Sequence, residues 1–530
     1  MNLVVFEQNK PFVAASLRNG TIDYLETVRE GAETDFFKYL NTRGILTHLA
    51  ETYPFKRKKM EVPTWLYIAS DLSLRLHGMQ SFHGYPFVIR TGGLLNAFGP
   101  EVGKKVVHPQ TGQVTIHCPG FNKKNSYDRQ TPCDQDWLRK MAKATEATAL
   151  LRWYSREVPR LLDKEKLFDP EGIFIGDASY VFVPNNPHYE GSSVMLFDEH
   201  NHPVKEDDLS PNQRRRCRLR RCYKWVELIH TNSRGEFFYF VAMHLGPGRD
   251  HEDPILYELV ETFLQTVGRG VMKRLIVDRG FLDGPRIGHL KTRWGVDTVV
   301  ALRSDMNVLK DARGLLSLEP VRWQHYRPTA KELPVVGPLG IQDPPLPKKQ
   351  PPPENVVAFN HLTSWDACPV ELTVVLTKQR RKEPWGIATT EDTQNAPLVR
   401  HYYHLRETIE ERHRQTKVFW DLTKFHSPDF NLVSNQVVFV GLMYTLLQMQ
   451  LYAENHPELN RLTRQSLLHQ LRSTDNHLVV YAKQYYAFFD AAEYTEIVMT
   501  VEEPGKSKLL RKVRRIRKAY LEGLTFPRSP

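Results

Sequence analysis

The stretch from Gly172 to Ser304 switches repeatedly between the hydrophobic patterns of strands and of helices. The segments "GIFIGDASYVFV" and "KRLIVDRGF" are apolar runs of strand length, and "YKWVELIHT" followed by "EFFYFVAMHL" is typical of a hairpin that turns through "NSRG". Between them, "DPILYELVETFLQTV" carries apolar residues at helical spacing. This order predicts an α/β domain in which a mixed sheet has helices packed on its faces.

Two aspartates occupy informative positions in that pattern. Asp177 lies inside the first predicted strand, and Asp278 lies at the C-terminal end of a later parallel strand. Functional sites of open α/β sheets collect at the carboxyl ends of strands, although a single aspartate there is most often a cap or a surface acid. If a third acid, Glu410, joins them, the cluster repels itself unless protons or metal ions neutralise it, and all-oxygen ligands suit Mg²⁺ or Mn²⁺.

The acid Glu410 belongs to a predicted helix, "YHLRETIEERHRQTK", which contains neither Pro nor Gly. At about 100° per residue, Tyr403, Arg406, Glu410 and Lys417 share a stripe about 60° wide. A charged stripe opposite an apolar one is also what an ordinary surface helix shows. The helix therefore supports a site only in combination with the two aspartates.

The chain divides into five predicted segments. With 530 residues, it is too long for one simple core. Residues 1–165 are expected to form a mainly helical DNA-binding domain, and residues 166–304 the first part of the catalytic core. Residues 305–384 are expected to form a β-rich insertion with the Pro-rich connector "DPPLPKKQPPPEN", residues 385–455 the second part of the core, and residues 456–530 a helical region with a basic tail.

Charge and cysteine content narrow the partners. Lys and Arg outnumber Asp and Glu by 72 to 61, and the excess is concentrated in "KRKK", "RRRCRLRRCYK" and "KSKLLRKVRRIRK". Such runs are typical of nucleic-acid-binding proteins, or are solvated surface faces. Five irregularly spaced cysteines favour a reducing cytosol, and the N-terminal stretch predicts no signal peptide. The apolar segment Val437 to Leu451 is interrupted by glutamines and predicts a buried helix, so no membrane partner is expected.

Three motifs together resemble a known family. Tyr403, Arg406, Glu410 and Lys417 fill the signature Y-x2-R-x3-E-x6-K, while "DASYVF" and "DRGF" are similar to the motifs that surround the family's two aspartates. The chain thus resembles the DDE transposases of one bacterial insertion-sequence group. The resemblance covers roughly residues 170 to 455, and the Pro-rich connector within a wide insertion departs from it.

The resemblance implies a ribonuclease H-like core that cleaves DNA at transposon ends and joins them to a target. It implies that Asp177, Asp278 and Glu410 are catalytic and hold two Mg²⁺ ions, with Mn²⁺ as a substitute, and that Tyr403, Arg406 and Lys417 contact DNA. The implied partners are double-stranded DNA with terminal inverted repeats, target DNA and a second copy of the chain, in the cytoplasm of a prokaryote, beside the nucleoid.

Alternatives remain open from the sequence alone. The chain could be a DNA-binding regulator or a domesticated derivative that keeps the fold without catalysis, or a nuclease that cuts DNA without joining it. Some relatives form a DNA hairpin with a flipped base, for which Trp323, Trp365 and Trp385 are candidate stacking residues, although each is also a candidate core aromatic.

Overall fold

The computed structural model describes residues 7–30, 32–55, 62–89, 93–98, 104–107, 114–117, 133–318, 320–328, 352–378, 383–461, 464, 467 and 475–523. The basic run "KRKK" and most of the Pro-rich connector lie outside these ranges.

Helices and short strands make up the N-terminal third. They are β1 (Glu7–Gln8), α1 (Lys10–Arg18), β2 (Tyr24–Glu30), α2 (Ala32–Thr42), α3 (Ile45–Thr52), α4 (Thr64–Leu76), α5 (Tyr85–Ile89), α6 (Gly93–Phe98), β3 (Lys104–Val107), β4 (Val114–His117), α7 (Gln135–Ala144) and α8 (Ala147–Lys164).

Strands and helices alternate through the middle of the chain. They are β5 (Ile173–Val183), β6 (Ser193–Phe197), α9 (Pro211–Arg214), β7 (Arg218–Thr231), β8 (Tyr239–Pro247), α10 (Glu252–Val267), β9 (Arg274–Val277), α11 (Gly284–His289), β10 (Asp297–Ala301), α12 (Asn307–Leu318), β11 (Gln324–Tyr326), β12 (Glu354–Leu362), β13 (Leu372–Lys378) and β14 (Trp385–Thr389).

Helices dominate the remainder, which also contains two strands. The elements are α13 (Ala396–Glu407), α14 (Ile409–Arg414), α15 (Phe430–Ala453), β15 (Asp475–Ala482), β16 (Tyr485–Phe489), α16 (Ala491–Met499) and α17 (Gly505–Gly523).

The chain forms two compact units. One contains Met1–Thr47, Arg57–Leu138 and Leu467–Pro530, and the other contains His48–Lys56 and Arg139–Ser466. The first unit therefore joins both ends of the chain, and the second holds the α/β domain. The predicted division into five segments, and DNA binding by the first of them, stay predictions.

A ten-stranded mixed sheet forms the centre of the second unit. Five of its strands follow the order β8-β7-β5-β9-β10, in which β8, β7 and β5 are antiparallel neighbours and β9 and β10 run parallel to β5. The strand, hairpin, helix, strand, helix, strand order predicted from the sequence is confirmed. The sheet has the ribonuclease H-like arrangement, with helices packed on it.

The predicted β-rich insertion extends this sheet. Strands β11, β12 and β13 continue it beyond β14 in antiparallel pairs. Helix α12 also belongs to the insertion and packs on β13. Strands β11, β12 and β13 thus share one hydrogen-bonded sheet with β14, β10, β9, β5 and β7.

The two ends of the chain contribute to a second sheet. In the first unit, four strands pair in the order β1-β16-β15-β2. Helices alone were expected for residues 456–530, so β15 and β16 are an addition to that prediction. Their side chains Val480 and Phe489 are buried in a core with Val13 and Leu17 of α1. Strand pairing with a segment more than 400 residues away is not visible in local periodicity.

Helices cover opposite faces of the central sheet at β5. A Cβ atom added to Gly176 would lie 2.5 Å from a methyl of Leu256, so α10 packs directly against this face. Because side chains alternate along a strand, the next residue, Asp177, points to the opposite face. That face is covered by α13 and α14, which carry the predicted signature.

Helix α15 is long and apolar enough to cross a membrane, but it is a core helix of the second unit. Its residues from Val433 to Leu451 are all buried. The hydroxyl of Thr445 on this helix is hydrogen-bonded to the Tyr154 hydroxyl of α8. It also accepts a hydrogen bond from the Phe240 amide of β8. The prediction of a buried helix is confirmed.

Candidate active site

The two candidate aspartates lie side by side on adjacent parallel strands, with Asp177 within β5 and Asp278 directly after the carboxyl end of β9. Gly176 of β5 is paired with Val277 of β9, so Asp177 and Asp278 follow directly at the next position of each strand. Neighbouring strands lie about 4.8 Å apart. Asp278 also begins the helical turn Arg279–Phe281, where its Oδ1 accepts a hydrogen bond of 2.8 Å from the Arg279 amide.

One guanidinium group joins the two carboxylates. The Nη2 atom of Arg406 lies 3.1 Å from Oδ2 of Asp278 and 3.5 Å from Oδ1 of Asp177. Tyr403, one turn earlier on α13, places its hydroxyl 3.4 Å from Oδ1 of Asp278. Four of the six candidate side chains are therefore in one cluster, contributed by two strands and one helix.

Burial and charge oppose each other in this cluster. Burial raises the pKa of Asp177, while the neighbouring Arg406 and His413 act to lower it. Burial acts to lower the pKa of Arg406, but Asp177 and Asp278 outweigh it and the net shift is upward. Burial and the Asp278 charge raise the pKa of Tyr403 to about 12, so its hydroxyl keeps its proton and remains a hydrogen-bond donor at neutral pH.

The predicted signature helix is interrupted near Glu410. Helix α13 ends at Glu407, α14 begins at Ile409, and a π-helical turn follows at Gln415–Phe419. Glu410 itself is exposed. Among the described residues, no group of three or more Asp, Glu, His or Cys side chains is gathered for a metal ion. The geometry joins Asp177 and Asp278 through Arg406, and the assignment of Glu410 as their third partner stays a prediction.

The cluster fits a divalent cation in its donor chemistry. Asp177 and Asp278 supply carboxylate oxygens on adjacent strands, and Arg406 already balances their charge with a positive group. The Nε atom of Arg406 is buried and has no hydrogen-bond partner among the described residues. The carboxylate oxygens of the two aspartates are hard ligands of the kind that Mg²⁺ and Mn²⁺ prefer.

A fourth acid lies beside Asp177 and was missed by the sequence analysis. Glu227 of β7 is paired directly with Asp177 and is fully buried. Its Oε1 is in very close contact with Nε2 of His413 on α14, whereas Oε2 has no hydrogen-bond partner within the described ranges. Directly paired residues of antiparallel strands share a face, so Glu227 points toward the same helices as Asp177.

Burial favours the neutral forms of Glu227, His413 and Lys417. It raises the pKa of Glu227 well above the ordinary value, although Lys417 acts to lower it. Burial and the nearby charge of Lys417 together lower the pKa of His413 to about 4. Burial also lowers the pKa of Lys417 to about 8, although Glu227 and Asp177 act to raise it. Lys417 is thus half-buried beside the acids instead of lying on an exposed stripe.

Asp278 also borders an open cleft. The cleft has a volume of about 420 Å³ and is lined by Asp278, Arg279, Gly280 and Arg303. Both arginines are exposed, and Nη2 of Arg303 lies 3.4 Å from the Arg279 carbonyl oxygen. Arg303 follows the carboxyl end of β10. It reaches the cleft because β10 pairs with β9 in the sheet, although it is distant from Asp278 in the sequence. The cleft offers two cations for phosphate groups next to an acid.

The tryptophan candidates have packing partners. Trp385 lies 5.8 Å from the ring of Tyr403, and the Arg400 guanidinium lies 5.2 Å from its centroid. Lys378 lies 5.8 Å from the centroid of Trp323. Trp385 therefore packs beside Tyr403, and a role for Trp323, Trp365 or Trp385 in stacking a base stays a prediction.

Comparison with known proteins agrees with this architecture. The family described as a transposase DDE domain matches residues 189–446. The matched range contains Asp278, Tyr403, Arg406, Glu410 and Lys417, and Asp177 lies shortly before its start. None of the curated proteins compared with the chain matches it.

Proposed function

Because this chain contains a transposase DDE domain, we propose that it cleaves DNA at the ends of a transposable element and joins those ends to target DNA. Its substrates are double-stranded DNA with the element's terminal inverted repeats, and the target duplex. The observation that supports this most directly is the pair Asp177 and Asp278 on adjacent parallel strands, bridged by Arg406.

The proposed reaction is an in-line displacement at phosphorus, first by water and then by a freed 3′-hydroxyl. Asp177, Asp278 and Glu410 are the proposed ligands of two Mg²⁺ ions, for which Mn²⁺ substitutes. Bound ions of this kind supply stabilisation of negative charge on the phosphate oxygens and a more acidic water. No covalent intermediate with the protein is required, because positioning and electrostatic stabilisation provide the rate enhancement.

The remaining side chains bind and orient the DNA backbone. Arg406 has a planar fork of donors that suits a phosphate, and Tyr403 donates a hydrogen bond from a hydroxyl that stays protonated. Arg279 and Arg303 border the cleft at Asp278, so they are placed to bind phosphates on either side of a reacting group there. Lys417 adds a positive charge beside Asp177.

The proposed assembly is a homodimer that acts on paired transposon ends. Its proposed location is the cytoplasm of a prokaryote, where the chromosomal DNA is accessible.

The test is cleavage of a duplex that carries the inverted repeats flanking the gene. Asp177→Asn, Asp278→Asn and Glu410→Gln are expected to abolish cleavage in Mg²⁺ and in Mn²⁺, while duplex binding in EDTA changes little. Glu411→Gln is the matched control, because Glu411 is the next acid on α14 and forms an ion pair with Arg414. Full cleavage by any one of the three variants removes that acid from the mechanism.

The same assay separates the alternatives. A regulator or domesticated derivative binds the end DNA but does not cut it, whichever divalent metal is added. A nuclease cuts the ends, yet yields no product in which the 3′ end is joined to target DNA. The presence of Asp177 and Asp278 in one bridged pair favours a catalytic protein over a regulator.

A further inference from the structure

We propose that the basic face of α17 binds the phosphate backbone of duplex DNA independently of sequence. The identity of this ligand rests on the proposed transposase function, since the helix would provide a second contact for the same DNA. The segment "GKSKLLRKVRRIRKAYLEG" contains eight Lys and Arg residues and a single acid, Glu522, close to its end.

The helix has two faces with separate roles. Leu509 is 3% exposed in a core with Val13, Leu17 and Val480, and Val513 packs against that core. Measured around the helix from Leu509, Val513 lies at about 40°. The opposite arc, from about 140° to 260°, contains five basic residues. They are Lys508, Arg511, Arg514, Arg515 and Lys518.

The basic face is largely exposed to solvent. Lys508, Arg511, Arg514 and Arg515 are exposed. In the part of the chain that the structure describes, no ion pair joins Lys508, Arg514 or Arg515 to a carboxylate. From Lys508 to Lys518 the basic arc extends about 15 Å along the helix axis. A row of positive charges of that length attracts a polyanion and is screened by salt.

Two features favour duplex DNA over other polyanions. Amphipathic helices that bind membranes insert their apolar face into the lipid. In α17 that face, which includes Leu509, is already packed in the core of its own unit. Proteins that bind single strands stack bases on aromatic rings, whereas the basic arc from Lys508 to Lys518 contains no Phe, Tyr or Trp, and the single aromatic residue in the sequence of α17, Tyr520, follows it. Backbone contacts without base stacking are the mode that suits a duplex.

The test is a triple variant, Lys508→Gln, Arg511→Gln and Arg515→Gln, in the full chain. Its binding to a short fluorescent duplex of arbitrary sequence is measured by anisotropy in EDTA at several salt concentrations. The slope of log Kd against log salt is expected to become shallower by about 2 to 3, which corresponds to three lost phosphate contacts. The control, Lys205→Gln, Lys273→Gln and Lys310→Gln, removes three exposed charges outside α17 and outside the predicted DNA-binding segment, and is expected to keep the slope.

The outcomes distinguish this inference from the proposed function. Circular dichroism establishes that the triple variant is folded, because Gln has a helix propensity close to that of Lys and Arg. An affinity and slope equal to those of the wild type, or an equal change in the control, overturn the inference. Loss of binding to phosphatidylserine vesicles with unchanged duplex binding overturns it in favour of a membrane. If the triple variant loses duplex binding as expected but the wild-type chain never cuts end DNA, only the catalytic proposal is refuted.

Discussion

The most informative residue outside the recognised motifs is Glu227. It is directly paired with Asp177, fully buried, and in contact with His413, which lies between Glu410 and Lys417 on the chain. Its sequence signal was the same as that of Asp177, since it is an acid at the centre of an apolar strand. The contact anchors α14 to β7 at the point where Asp177 faces the helix.

Replacing Glu227 tests this anchor. Glu227→Ala leaves His413 without its partner and opens a cavity, so the free energy of unfolding is expected to fall by about 2–4 kcal/mol. Glu227→Gln keeps the shape and a hydrogen-bonding group, and a loss below about 1 kcal/mol is expected. Urea unfolding of both variants measures the difference. A loss below about 1 kcal/mol in both variants would show that the contact with His413 contributes little.

Lys417 predicts a pH dependence of DNA binding. Its pKa is lowered to about 8 by burial, so it is mainly charged at pH 7 and loses its charge as the pH rises through 8. The salt slope of duplex binding in EDTA is therefore expected to become shallower by about one between pH 7 and pH 9. Lys417→Arg stays charged over that range and should remove the change. A wild-type slope that is independent of pH contradicts a phosphate contact by Lys417.

At the scale of single elements, the sequence predicted what local periodicity encodes. Strands β5, β9 and β10, the β7–β8 hairpin and helix α10 follow from runs of Val, Ile, Leu and Phe at strand or helix spacing. The order of those elements was sufficient for the fold class. What the sequence did not indicate depends on distant pairing: β15 with β2, the extension of the central sheet by β11 to β13, and the partner of Glu227.

The signature helix shows the same limit. Tyr403 and Arg406 share one face, as their spacing predicts, and both contact the aspartate pair, because they lie within one regular helix, α13. Beyond Thr408 the helix is interrupted and then widens into a π-helical turn, so the rotation of 100° per residue no longer applies. Lys417 consequently lies beside Glu227 and Asp177, which a uniform helical stripe does not predict.

Packing around α11 gives an element-scale prediction. A Cβ atom added to Gly284, the first residue of α11, would lie 2.4 Å from the carbonyl oxygen of Ala367 in the insertion. Because that neighbour is backbone, Gly284→Ala is expected to lower the free energy of unfolding by about 1–3 kcal/mol. An added Cβ at Gly314 in α12 would meet no atom of the described residues within 4 Å outside its own helical turn, so Gly314→Ala should raise the free energy of unfolding by about 0.5–1 kcal/mol.

Thermal or urea unfolding of the two glycine variants measures both signs. A stabilised Gly284→Ala variant would mean that the turn at Ala367 moves away from α11 at little cost. Since Asp278 lies six residues before Gly284, loss of end cleavage in a folded Gly284→Ala variant would also show that this packing positions the second aspartate.

For the whole molecule, charge is less uniform than the composition suggests. The run from Arg214 to Lys224 begins with exposed side chains and becomes buried as β7 enters the sheet. Lys224 is 8% exposed and its Nζ lies 2.7 Å from Oε2 of Glu252. Such a residue balances charge inside the protein, whereas the basic side chains of α17 face solvent. The net charge of +11 therefore overstates the positive charge that the run from Arg214 to Lys224 presents to solvent, whereas the basic side chains of α17 are exposed.

The stability of the molecule is expected to depend on pH through a buried histidine. His230 is fully buried between Phe174, stacked 4.5 Å away, and Phe168. Its Nδ1 donates to the Ile173 carbonyl and its Nε2 accepts from the Asp169 amide, so the neutral ring satisfies both partners. Burial lowers its pKa to about 3.

The sign of the dependence follows from proton binding. Between about pH 6.5 and pH 3 the unfolded chain holds a proton on His230 that the folded chain lacks, so acid favours unfolding. This residue contributes a loss of at most about 1.4 kcal/mol per pH unit over that window. Above pH 6.5 both states are neutral at His230 and the contribution is constant.

His230→Gln separates this term from the other titrations. Glutamine retains a donor and an acceptor but not the aromatic packing, so the variant should be less stable at pH 7 by about 1–3 kcal/mol and should lose stability less steeply between pH 6 and pH 4. His200→Gln, at an exposed position, is the control and should leave the slope unchanged. Urea midpoints across the pH series measure both effects. A variant that keeps the wild-type slope would place the acid sensitivity in other groups, because a neutral side chain at position 230 takes up no proton on unfolding.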